Sequence, residues 1–93
     1  MLKIRFTSQM KKDLKLVKKQ SNSGYDENEF KEVINKLIHR EPLEEKYKDH
    51  PLKGKFEGAR EFHLGFDLVV VYEINEDYLE LLMMRIGSHD TIF

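Results

Sequence analysis

Four histidines, His39, His50, His63 and His89, are the side chains of this sequence that exchange protons near neutral pH. Three of them lie in the C-terminal half, beside stretches that read as strand ends, in company with Asp67, Arg60, Arg85 and the lysines between residues 46 and 55. Imidazoles move protons, while arginine and lysine stabilise charge on a phosphoryl oxygen. A cleft holding both, with a carboxylate, suits cleavage of RNA through its own 2′-hydroxyl. One group takes the 2′ proton, another donates to the departing 5′ oxygen, and a cation holds the pentacoordinate phosphorane. Phe93 offers a ring on which a base could stack.

Each of these residues also has a structural role open to it. His39, late in a helix, suits the negative end of the helix dipole. His50 fits a plain loop position. His63 and Asp67 could pair across a turn, Arg85 could pair with a carboxylate, and Phe93 could pack on the sheet. Three histidines and an aspartate are also legitimate zinc ligands, which keeps a metal hydrolase open. The turn expected between His63 and Asp67 weakens that signal. No phosphate-cradling glycine loop and no Gly-x-Ser-x-Gly elbow occurs, so nucleotide-cofactor and serine-hydrolase chemistries find no support.

The elements that must position these groups come from a chain of 93 residues, the length of one domain spanning residues 1–93. The absence of cysteine excludes a disulfide framework, a zinc ribbon and a thiol nucleophile. No apolar run approaches the roughly 18 residues needed to span a bilayer, and Met1–Phe6 lacks the long apolar stretch of a signal peptide, so a cytoplasmic location without membrane contact is expected. The formal net charge of −1 conceals an alternation. Residues 1–20 carry seven basic side chains and one acidic, and residues 46–60 carry five and two. The segments after each are acidic in balance. Two basic segments folded to one side would make a field that a polyanion feels, although solvated lysine faces are common.

Leu2, Ile4 and Phe6 alternate with Lys3 and Arg5, the pattern of a half-buried strand. Thr7 and Ser8 offer an N-cap to a helix carrying Met10, Leu14 and Val17 inward. Its other faces carry Lys11, Lys12, Lys15, Lys18 and Lys19. A loop follows at Ser21-Asn22-Ser23-Gly24. A second helix opens at Asp26, with Glu29 completing a capping box. It presents Phe30, Val33, Ile34, Leu37 and Ile38 as one stripe, carries Arg40 at its end, and stops at Pro42. Lys53 to Phe56 reads as a short strand and Gly58 as a turn. Arg60–Leu64 and Asp67–Ile74 read as strands, the latter apolar on both faces and therefore central. Tyr78–Ile86 reads as a last strand with Leu79, Leu81, Met83 and Arg85 on one face. Short turns imply antiparallel neighbours. The expected fold is α+β, with two N-terminal helices packed on a twisted, mainly antiparallel sheet of four to five strands.

The residues from Tyr47 onward carry a more specific pattern. Tyr47-Lys48-Asp49-His50-Pro51-Leu52 with Gly54, then Gly58-x-Arg60-x-x-His63-x-x-x-Asp67, Val71-Tyr72, Arg85-x-Gly87-Ser88-His89 and a closing Phe93 resemble the YafQ-type toxins of the RelE/ParE superfamily of type II toxin–antitoxin modules. The resemblance covers essentially the whole chain, and the first 45 residues share it by element pattern. It implies a RelE-like fold and a ribosome-dependent endoribonuclease that cuts messenger RNA in the A site without a metal or other cofactor. A cognate antitoxin would hold it inactive, and operator DNA would be reached only through that antitoxin.

Carried over by position, His50, His63, Asp67 and His89 would be catalytic, with His89 the general acid and His50 the preferred base ahead of Asp67 and His63. Arg60, Arg85, Phe93, Lys48 and Lys53 would bind substrate. Lys11, Lys12, Lys15, Lys18 and Lys19 would meet ribosomal RNA on the 70S particle, contacts that weaken steeply with salt. The chain departs from the pattern at the turn. Many relatives place a proline before the aspartate and an aromatic after it, where this chain has Phe66 and Leu68. The alternative within the resemblance is a superfamily toxin, or an antitoxin-binding co-repressor, without ribonuclease activity.

Overall fold

The two ends of the chain meet in one sheet. The computed structural model describes residues 1–20 and 22–93. Ser21, assigned above to a loop, lies outside the described residues. β1 (Lys3–Phe6) leads into α1 (Ser8–Lys19) and α2 (Glu27–Ile38), and then come β2 (His50–Pro51), β3 (Arg60–His63), β4 (Val69–Asn75), β5 (Glu80–Gly87) and the short α3 (His89–Ile92). The strand order is β1-β5-β4-β3-β2. β1 runs parallel to β5, and every other neighbouring pair is antiparallel. This is the α+β arrangement expected, with five strands.

Local chemistry starts both long helices. Thr7 Oγ1 accepts the Met10 N–H at 3.0 Å, and the same hydroxyl donates to Met84 O at 2.9 Å, so one side chain caps α1 and ties it to β5. The Asp26 carboxylate accepts the amides of Asn28 and Glu29. Met10 and Val17 of α1 and Phe30, Val33 and Leu37 of α2 are buried against Phe62, Val70, Tyr72, Leu81, Met83 and Ile86 of the sheet. The other face is smaller, where Ala59, Val69 and Val71 pack with Ile92 of α3. β4 is buried on both faces, as its apolar sequence requires.

Three local expectations change. α2 stops at Ile38, ahead of Pro42, because Arg40 turns left-handed at φ +57°. The Arg40 N–H then donates to Leu37 O and the Glu41 N–H to Lys36 O, which uses the last free carbonyls, while the Arg40 guanidinium pairs with Glu76. Lys53–Phe56 forms no strand. Gly54 at φ +69° starts a 3₁₀ turn over Gly54–Phe56, and Leu52 N–H closes the loop on Ala59 O at 2.9 Å. In β5, alternation breaks at a bulge. Tyr72 faces Met83 but Val71 faces Arg85, which leaves Met84 as the extra residue. Met83 and Ile86 therefore share the helix-side core although they are three apart. Arg85 does not continue the Leu81 and Met83 row, and Leu79 precedes the strand at φ +50°.

Candidate active site

Strand register gathers the first group of site residues. His50 lies opposite Glu61, Glu61 opposite Val71, and Val71 opposite Arg85. Cross-strand partners share a face, so these four form one row across the sheet, ending with Arg85 at the edge that α1 covers. The next row on that face is His63, Val69 and Gly87. His50 Nε2 is 2.9 Å from Glu61 Oε2, and His63 Nε2 is 3.9 Å from the same oxygen. Glu61 is 3% exposed, and its Oε1 has no hydrogen-bond partner among the described residues. Reading the residues alone missed Glu61, one of seven acidic side chains after residue 60. The available signal was Glu61-x-His63 on a strand, since alternate residues point to the same face.

The His50 ring holds a defined proton. Its Nδ1 is 2.6 Å from Lys48 O, a carbonyl that only accepts, so Nδ1–H is the donor there. Nε2 then meets a carboxylate oxygen, and that contact is a hydrogen bond only if one proton lies between Nε2 and Oε2. The buried carboxyl therefore lies within hydrogen-bond reach of the imidazole. Lys48 is at φ +49°, the left-handed turn that aims its carbonyl back at the ring.

A second group sits at the end of the same sheet. His63 pairs with Val69, two residues after Asp67, and Val69 pairs with Gly87, two residues before His89. Asp67 Oδ1 is 3.5 Å from the His89 backbone nitrogen. The His89 ring stacks on Phe93, centroids 4.8 Å apart, and Phe93 meets Phe56 edge-on at 5.4 Å. Phe93 stays 48% exposed. No hydrogen bond joins His63 to Asp67 among the described residues. The Leu64 N–H to Leu68 O bond closes their turn at 2.8 Å instead. Leu68 is buried, and the Phe66 ring stands fully in solvent at 104% of its reference exposure. His39 is remote from both groups in role: its Nδ1 bonds Asn35 O at the end of α2.

The two arginines are each held by a carboxylate that the residue-type reading did not single out. Arg60 pairs with Tyr72 in register, on the helix side of the sheet. Its Nε–H donates to Asp49 Oδ1 at 3.2 Å, and the Tyr72 hydroxyl donates to the same oxygen at 2.7 Å. Burial, and then the Asp49 bond, push the Tyr72 hydroxyl far above the ordinary phenol range. This arrangement pins Asp49, the residue before His50, to the sheet. Arg85 donates from Nε and Nη2 to Asp13 at 2.8 and 3.1 Å. Burial alone would raise the Asp13 carboxyl, but bonds from Arg85, Gln9 and the Ile86 amide hold it below the usual range. The Asp13 bond in turn raises the Arg85 guanidinium.

Lys11, Lys12, Lys15, Lys18 and Lys19 are all exposed on α1, and Lys48 and Lys53 are exposed near His50. Lys18 reaches Glu27 at 3.6 Å. Among the described residues, the set able to hold a cation is His50, Glu61 and His63, one ligand atom from each lying within 4.8 Å of the others. Among the described residues, no helix is long and apolar enough to cross a membrane.

Residues 2–93 match the model of a family described as the bacterial toxin of a type II toxin–antitoxin system, YafQ. The chain belongs to the YafQ toxin family. It is 34% identical to the mRNA interferase toxin YafQ of Escherichia coli K12 over 91 residues, 97% of this chain and 94% of that one. A metal-bound toxin from Helicobacter pylori superposes with a TM-score of 0.90 at 41% identity, each chain covered in full. The E. coli DinJ–YafQ complex gives 0.85 at 32% identity, covering 100% of this chain and 99% of the other. In this member of the family, then, the His50–Glu61–His63 cluster and the Asp67–His89–Phe93 group are the two halves of the candidate site.

Proposed function

We propose that this toxin is an endoribonuclease that cuts messenger RNA in the ribosomal A site, and that a cognate antitoxin holds it inactive. The observation that carries the reading is the buried Glu61 carboxyl flanked by two imidazoles, with a third imidazole, His89, exposed at the end of the same sheet face. The mRNA interferase name of the E. coli relative and the E. coli DinJ–YafQ toxin–antitoxin complex support it.

The chemistry divides among named groups. Both ring nitrogens of His50 face protein acceptors, so it cannot take a substrate proton without breaking one of those bonds. That favours His63 as general base, with Glu61 behind its Nε2 and His50 fixing Glu61. His63 takes the 2′-hydroxyl proton as the 2′-oxygen bonds to phosphorus. His89 protonates the 5′-oxygen as its bond to phosphorus breaks. The products are a 2′,3′-cyclic phosphate and a 5′-hydroxyl. Asp67 holds the backbone of His89, and Phe93 orients its ring. Arg85, Lys48 and Lys53 supply positive charge to the phosphates. Arg60 acts by pinning Asp49 and so the His50 loop. Base, acid and cations are all side chains, so the cleavage requires no metal. The exposed α1 lysines contact ribosomal RNA.

Expression without antitoxin, followed by mapping of transcript ends, tests the reading. Cleavage within codons, leaving 5′-hydroxyl ends, is expected. Normal growth with intact transcripts would overturn it in favour of a toxin or co-repressor that has no nuclease activity.

A further inference from the structure

Asp13 is a carboxylate 7% exposed on a helix otherwise carrying five exposed lysines. It spends both oxygens inward. Oδ2 accepts Arg85 Nε–H at 2.8 Å and the Ile86 N–H at 3.1 Å, and Oδ1 accepts Arg85 Nη2–H at 3.1 Å and Gln9 Nε2–H at 2.9 Å. The Ile86 bond exists because β1 pairs with β5 only as far as Met83. Beyond that point α1 covers the edge of β5, immediately after the bulge that sets Arg85 opposite Val71.

A guanidinium has five N–H donors in a fixed plane. A carboxylate gripping Nε and one Nη2 hydrogen fixes that plane and leaves three donors for a second acceptor. Arg85 shares its cross-strand row with Glu61 and His50, which sets its Cα on the face of the candidate site. We infer that Asp13 is a positioning residue for RNA cleavage: by clamping Arg85 and the adjacent bulge, it sets the angle at which Arg85 presents its remaining donors to a substrate phosphate. This inference rests on the ribonuclease reading and adds a residue to it.

The test compares wild type, Asp13→Asn, Arg85→Ala and the double variant on ribosomes programmed with messenger RNA. Folding is followed by thermal unfolding. Asp13→Asn should lower kcat about tenfold or more with KM within about threefold, because it misaligns a group used most in the transition state. Added to Arg85→Ala, it should cost no further activity. Wild-type cleavage with unaltered cleavage by Asp13→Asn, or a full additional loss in the Arg85→Ala background, would overturn this inference alone. Failure of wild type to cut any message would overturn the ribonuclease reading and this inference with it. Should Asp13→Asn fail to fold, the wild-type protein decides. The Arg85 Nε–H resonance should remain protected and shift when an RNA with a 2′-deoxy scissile nucleotide is added. An unshifted resonance would overturn the inference.

Discussion

His50 Nε2 and Glu61 Oε2 stand 2.9 Å apart across the β2–β3 pair, and the Lys48 carbonyl lies 2.6 Å from Nδ1 on the far side of the ring. A buried carboxyl thereby serves two imidazoles at once. Glu61→Gln keeps the shape and a hydrogen-bonding oxygen but cannot accept the proton. General acid–base contributions run to about 10²–10⁴-fold, so single-turnover cleavage should fall by about 10² or more while the melting temperature holds. Retention of wild-type rate would remove Glu61 from the chemistry.

The same three residues make cleavage sensitive to added metal. A divalent zinc or copper ion seated on His50, Glu61 and His63 would occupy the nitrogens and oxygen that handle the proton. Stoichiometric Zn²⁺ should inhibit, and a chelator (with ribosomal magnesium maintained) should restore activity. Calorimetry should show the Zn²⁺ binding lost in His63→Ala. A cleavage rate that rises with Zn²⁺ would contradict metal-free catalysis.

Asp13 predicts acid sensitivity with a definite sign. Its folded carboxyl is held below the unfolded value of about 3.9, so its contribution is complete above that value and is lost as pH falls through the folded one. At pH 7, Asp13→Asn should destabilise by roughly 1–3 kcal/mol, since hydrogen bonds to a charged partner are lost. Thermal unfolding at pH 7 and at pH 2.5 checks this. The gap between variant and wild type should narrow in acid, and a constant gap would refute the assignment.

Tyr72→Phe removes one of the two donors on Asp49 and leaves Arg60 in place. The loss of one buried hydrogen bond to a charged group should cost about 1.5–3 kcal/mol. His50 follows Asp49 directly, so cleavage should fall with stability, and amide exchange in residues 48–51 should accelerate. Unchanged exchange there would show that the loop is held by other contacts.

Phe66 separates binding from folding. A fully exposed ring at a turn adds little stability, so Phe66→Ala should stay within about 0.5 kcal/mol of wild type. Beside Asp67 it offers a stacking surface, and such contacts are worth about 1–3 kcal/mol per base. KM for message should rise about fivefold or more. An unchanged KM would leave Phe66 without a role in RNA contact.

Much of this fold was legible along the chain because its causes are local. Thr7 and Asp26 announce helix starts through hydroxyl and carboxylate oxygens a few residues from the amides they cap. Val69–Tyr72 announces a central strand by having no polar face. Pattern resemblance singled out His50, His63, Asp67 and His89, which the sheet brings into two groups. What stayed hidden depends on partners distant in sequence or on a change of phase. Arg85 and Asp13 are separated by 72 positions, and although the spacing from Met10 to Val17 places Asp13 on the inward stripe, nothing local names its partner. The bulge at Met84 reverses the alternation that placed Arg85 beside Met83. Glu61 shares a strand face with His63 by spacing, but its contact with His50 follows from strand register.

The parallel contact of β1 with β5 has a consequence for biosynthesis. The first strand to leave the exit tunnel must wait for the last strand of the same chain before its backbone is paired. The central pairing of the sheet, and with it the row from His50 to Arg85, therefore cannot be completed until β5 has been synthesised and has emerged.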